Sequence, residues 1–137
     1  GMMPLAATLT SEEIYEGFRG PEKTFYYGHS YTGNALGCAA ALANLEVFEE
    51  SQVLEEVERK GALIESRLRE ISKVLEIRRV GLVIGFDVAQ GTGKEVCQAL
   101  KNEGVLTRPI LDTIVIMPPL VISEEEIDYL LDALAVV

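Results

Sequence analysis

The chain has 137 residues with 12 Lys plus Arg against 22 Asp plus Glu, a formal net charge of −10, and 48% apolar residues. That composition is of an ordinary folded domain and excludes the disordered class, and so acidic a balance argues against binding a phosphate backbone, which takes clustered Lys and Arg. No apolar run reaches the ~18 residues a membrane span needs, and the start lacks the basic-then-apolar layout of a signal peptide, so nucleic acid and membrane are not expected partners and the setting reads as cytoplasmic.

The first 33 residues hold four of the five tyrosines and the only histidine. Leu5 to Leu9 reads as a short strand, and Ser11 ahead of Glu12 and Glu13 reads as the cap of a helix over Glu12 to Phe18. Arg19 to Gly33 follows as loop. Ala35 to Glu50 is apolar almost without interruption, which predicts a helix buried on most sides. Ser51 can cap a further helix in which Val53, Val57, Ile64, Leu68 and Ile71 recur at helical spacing. Leu75 to Val80 and Leu82 to Val88 are β-branched runs divided by Gly81, hence two strands around a tight turn or bulge. Thr92 and Glu95 match a capping box for a helix ending at Gly104. Strands are expected over Val105 to Arg108 and Thr113 to Met117, and Ser123 with Glu126 caps a last helix. The pattern is α+β, helices packed on one face of a small, mainly antiparallel sheet.

Little of the familiar site chemistry can be built from these residues. Gly91-Thr92-Gly93-Lys94 lacks the upstream glycine and following hydroxyl of a phosphate loop, so a turn before a helix is the reading. Cys38 and Cys97 read as small buried hydrophobes. With His29 alone, neither a histidine metal cluster nor a Ser/His/Asp triad can be assembled. The acidic clusters Glu49-Glu50 and Glu124 to Glu126 read as solvated helix ends.

Two segments remain. Tyr27-Gly28-His29-Ser30-Tyr31-Thr32-Gly33-Asn34 combines glycines, hydroxyls and the start of a helix, which suits a phosphate or carboxylate and also suits a plain helix lead-in. Arg108, in Val105-Leu106-Thr107-Arg108-Pro109, could clamp a carboxylate in bidentate fashion or form a surface ion pair.

Leu5-Ala6-Ala7-Thr8-Leu9, Gly28-His29-Ser30-Tyr31-Thr32-Gly33-Asn34 with Leu36-Gly37-Cys38, Arg79-Val80-Gly81-Leu82 with Gly85, and Gly104-Val105-Leu106-Thr107-Arg108-Pro109 followed by Met117-Pro118-Pro119-Leu120 resemble the class III, pyridoxal-phosphate-dependent aminotransferases. Within that class the wording is nearest to the members of biotin biosynthesis that pass the amino group of S-adenosylmethionine to 8-amino-7-oxononanoate, with ornithine, acetylornithine and ω-amino acid enzymes as relatives. The resemblance implies the C-terminal small domain of a fold-type I enzyme over 34–137, preceded by an arm, 1–33, that belongs to the large domain and reaches across the subunit boundary of a homodimer. It implies that Ser30 and Tyr31 bind the pyridoxal 5′-phosphate, Ser30 standing where the family usually has Thr. By the same likeness Gly28 and His29 border the substrate pocket and Arg108 binds the substrate carboxylate. The Schiff-base lysine of the family lies just ahead of the stretch matching Met3-Pro4-Leu5-Ala6, and none of Lys23, Lys60, Lys73, Lys94 and Lys101 stands in a matching context. The expectation is a chain that supplies part of an active site and is not catalytic alone. A free-standing, non-catalytic interaction domain is the alternative from outside the enzyme class.

Overall fold

The structure, a computed structural model, describes residues 2–137. Five helices and four strands follow in the order α1 (Glu12–Glu16), α2 (Ala35–Glu50), α3 (Val53–Leu68), β1 (Ile77–Val80), β2 (Val83–Asp87), α4 (Gly93–Asn102), β3 (Arg108–Ile110), β4 (Thr113–Ile116) and α5 (Glu124–Val136). They group into two compact units, one running up to Glu50 and the other from Ser51 to Val137.

The second unit is the α+β layer pair expected from the sequence. Its sheet has the order β1-β2-β4-β3, antiparallel throughout. Alternation sends Ile84 and Phe86 of β2, and Ile114 and Ile116 of β4, to one face, where they are buried against Ile64 and Leu68 of α3, Leu100 of α4, and Ile127, Leu131 and Leu134 of α5. The opposite face carries Arg78, Val83, Gly85, Asp87, Thr113, Val115 and Arg108, none of them buried. Gly81, at φ 58, makes the β1–β2 turn. Helix α3 lies so close to that turn that a Cβ on Gly61 would stand 2.4 Å from the Gly81 carbonyl oxygen. Arg79 seals the contact: its guanidinium donates to both Glu58 oxygens, at 2.6 and 3.0 Å, and to Glu65 at 2.9 Å.

Capping separates the expectations that held from those that did not. At α5 the Ser123 hydroxyl accepts from the Glu126 N–H and the Glu126 carboxylate accepts from the Ser123 N–H, the reciprocal box the sequence announces. Ser11 likewise caps α1, which ends at Glu16. At α4 the expected box does not form, because the Thr92 hydroxyl donates to the Ala89 carbonyl at 2.6 Å and the Gly93 N–H goes to Asp112 Oδ1 at 3.2 Å. Ser51 does not cap α3 either; the N-cap is Gln52, at φ 47, with no side-chain bond. The third strand begins at Arg108 rather than ending there, since its pairing with β4 runs from Arg108–Val115 to Ile110–Thr113.

In the first unit, Leu5 to Leu9 is irregular and not a strand. All four strands of the sheet come from residues 77–116, and a lone extended segment has no ladder to join. Leu5 instead lies beside α2, where a Cβ on Gly37 would meet Leu5 Cδ1 at 3.6 Å. Helix α2 has the expected bounds but not the expected burial. Gly37 is its one buried residue, while Leu36, Leu42 and Leu45 are 72%, 62% and 60% exposed. Cys38 on this helix is exposed, and only Cys97, in α4, is the buried thiol anticipated for both. An apolar side chain is buried only where something covers it, and apolar content alone does not supply the cover.

Candidate active site

The two candidate segments fall in different units, so each is built up separately. Gly28 to Asn34 is a run of turns leading into α2, every residue exposed except Asn34, which is half-buried. Its donors are largely spent on the loop itself. The His29 N–H donates to the Thr32 hydroxyl and the Tyr31 N–H to His29 Nδ1, both at 3.1 Å. Thr32 N–H goes to the His29 carbonyl and Asn34 N–H to that of Tyr31. Asn34 then turns its side chain onto the Leu36 N–H at 3.1 Å, so one of the helix-start donors expected to face an anion is already taken.

Ser30 is left over. Among the described residues neither its N–H nor its hydroxyl has a hydrogen-bond partner, and Ser30 is exposed within the turn that His29, Tyr31 and Thr32 lock. Two adjacent neutral donors suit one or two phosphate oxygens. Gly28 has φ outside the left-handed region, and a Cβ there would have only Thr32 Oγ1, at 4.0 Å, within reach, so the fold of the loop does not itself require glycine.

Arg108 lies at the start of β3 on the exposed side of the sheet. Its backbone is fixed from both sides: Pro109 follows and restricts its conformation, and the Thr107 hydroxyl donates to the Val115 carbonyl on the strand opposite. Charge sets it apart from its kind. Of the seven arginines, Arg19, Arg59, Arg67, Arg69, Arg78 and Arg79 each have a carboxylate within ion-pair distance, whereas Arg108 has none among the described residues. The surface ion pair that stood as the plain explanation of Arg108 is absent.

Beside it the same face carries a polar cluster that sequence reasoning passed over. Arg78 grips Asp87 with Nη2 to Oδ1 at 2.6 Å and Nη1 to Oδ2 at 3.1 Å, and the Thr113 hydroxyl donates to Asp87 Oδ1 at 2.5 Å. These bonds, the arginine's first, pull the Asp87 carboxyl down to about 2. The signal was available: strand alternation puts Arg78 and Asp87 on one face, but only the register makes them neighbours.

The class III aminotransferase profile matches residues 1–137. The chain belongs to the class III aminotransferases. It is 41% identical over 98% of its length to the adenosylmethionine-8-amino-7-oxononanoate aminotransferase of Aquifex aeolicus, of which it covers 34%. Its backbone superposes on the crystal structure of the enzyme of that name from Methanocaldococcus jannaschii with TM-score 0.83 and 40% identity, over 98% of this chain and 35% of that one. An (S)-enantioselective omega-transaminase from Thermomicrobium roseum gives TM-score 0.78 at 29% identity, over 91% and 31%. The chain thus spans about a third of the length of the relatives it matches. Class III aminotransferases use pyridoxal 5′-phosphate.

Proposed function

We propose that this chain is the C-terminal part of an aminotransferase that moves the amino group of S-adenosylmethionine to 8-amino-7-oxononanoate in biotin biosynthesis, working in the cytoplasm as a homodimer. The observation that carries the reading is the unpaired guanidinium of Arg108, at the fixed start of β3. A planar fork of donors with no carboxylate of its own is suited to a substrate carboxylate. The naming of the Aquifex and Methanocaldococcus relatives supports this substrate pair.

The roles divide by unit. Arg108 binds the acceptor's carboxylate and so orients the molecule. Ser30 offers its N–H and hydroxyl to the cofactor phosphate, with Tyr31 beside it, and Gly28 and His29 border the substrate from the same loop. That loop and the rest of 1–33 act as an arm of the large domain that reaches the partner's site, while 34–137 forms the small domain. Pyridoxal 5′-phosphate supplies the electron sink that lets an amino group leave one carbon skeleton and join another. The lysines of this chain do not offer themselves for that chemistry: Lys73 donates to the Val137 carbonyl at 2.7 Å, Lys60 lies 3.9 Å from Glu56, and Lys23, Lys94 and Lys101 lie on exposed loop or helix surface. The 137 residues alone are therefore proposed to be inactive.

The test is Arg108→Ala in the full-length protein. KM for 8-amino-7-oxononanoate should rise roughly ten- to a hundredfold, the range of a lost charged hydrogen-bonding pair, with the half-reaction of the amino donor unchanged. Equal loss in both half-reactions overturns the role. A second reading, an ω-amino acid or acetylornithine transaminase, draws on the likeness to the Thermomicrobium enzyme. Failure of S-adenosylmethionine to discharge the cofactor's visible absorbance, with success of acetylornithine or an ω-amino acid, would favour it.

A further inference from the structure

Two arginines lie in one register row across the open face of the sheet. Arg78 of β1 pairs with Gly85 of β2, Gly85 with Val115 of β4, and Val115 with Arg108 of β3. One same-face step along β2 from Gly85 is Asp87, opposite Thr113 and the only carboxylate within the four strands. With strands about 4.8 Å apart and about 6.8 Å between same-face residues, the backbones of Asp87 and Arg108 are roughly 12 Å apart. The positions between are Thr113, Val115 and the side-chain-free Gly85, so nothing large stands in the way. Asp87 thus has two guanidinium groups to choose from on one face. The structure shows the choice made: Arg78 takes both carboxylate oxygens, Thr113 adds a third bond, and Arg108 stays unpaired.

We propose that Arg78 is a positioning residue of the substrate site, occupying Asp87 so that Arg108 remains free for the acceptor's carboxylate. The inference rests on the reading of Arg108 given under the proposed function. Without Arg78, Asp87 is an unpaired anion on the same face, and it competes with the substrate for the one free guanidinium. Glu76 sets the contrast, because it too contacts Arg78, at 3.4 Å, but it precedes β1 on Arg78's own strand, opposite Asp87 and one strand further from β3.

The experiment measures KM for 8-amino-7-oxononanoate, and the dissociation constant of nonanoate as a bare carboxylate probe by calorimetry, in the full-length protein. R78Q should weaken both roughly three- to tenfold, the scale of a single charge acting at this range near a protein surface. R78Q/D87N should restore both, and R78Q/E76Q should not. If R78Q does not fold, R78K carries the same test with a smaller shift of the same sign, again erased by D87N. No change in R78Q, or a loss that D87N fails to reverse, overturns the proposal in favour of a purely structural ion pair. Equal rescue by E76Q overturns it in favour of net charge. If R108A leaves both constants unaltered, the carboxylate reading itself fails; if R108A raises them and R78Q does not, only the present inference does.

Discussion

Asp87 shows how one side chain ties the sheet to solution conditions. Its carboxyl is held at about 2 by Arg78 and Thr113, below the ordinary carboxylate range, so it favours the folded state wherever it is ionised. A group with a depressed folded pKa contributes fully above its unfolded value near 4 and loses that contribution as pH falls towards 2. Acid unfolding of D87N should accordingly be less steep than that of the parent between about pH 4 and 2, and an NMR titration of the Asp87 carboxyl should find its midpoint near the lower limit. Leu111 makes a different demand. It holds φ 56 at the tip of the β3–β4 hairpin and is 89% exposed, so its side chain recovers nothing for the strained backbone. Leu111→Gly should raise stability by about 0.5–1 kcal/mol in thermal melts; a lower Tm would mean that the leucine is held by contacts not visible in this chain. At this scale residue type was enough to mark Arg108 and the Gly28–Asn34 loop as candidates, whereas Ser30 within that loop was singled out by the family resemblance alone. Residue type did not disclose that Arg108 alone lacks a carboxylate, because pairing depends on strand register.

Helices and strands were legible where their signals are local. The reciprocal Ser123–Glu126 cap is complete within four residues and was readable. The start of α4 was not, since its Gly93 N–H is met by Asp112, 19 residues later. The β1–β2 turn at Gly81 was announced by glycine between two β-branched runs, but the close approach of α3 at Gly61 leaves no mark in local pattern, as it depends on which helix lies over which turn. Gly61→Ala should cost about 1–3 kcal/mol, measured by denaturant unfolding, because the added methyl meets a backbone oxygen that is fixed by the turn. An unaltered midpoint would show that α3 can slide off the turn at no cost.

At the scale of the molecule, the two units are built on different terms. From Ser51 onward the apolar residues of three helices and two central strands close over one another. Up to Glu50 the described residues form no such core, and α2 carries its leucines in the open although its sequence is that of an interior helix. Periodicity reports which faces are apolar but not whether the covering surface belongs to the same 137 residues. Hydrogen exchange on the chain should therefore find the amides of α3, α5 and β2 protected well beyond those of α2, whose burial is so slight. Comparable protection in α2 would contradict that account.

The bond from the Gly93 N–H to Asp112 bears on the order of assembly. A helix start closed by its own residues is complete within one turn, but the first N–H of α4 finds its partner only in the hairpin that follows it in sequence. A Cβ on Gly93 would stand 2.3 Å from the Leu111 carbonyl oxygen, so hairpin tip and helix start meet backbone to backbone and only glycine fits between them. A peptide of α4 alone, without the β3–β4 hairpin, should hold little helix by circular dichroism. In the complete unit, the hairpin that presents Arg108 is clasped at its far end by the element it completes.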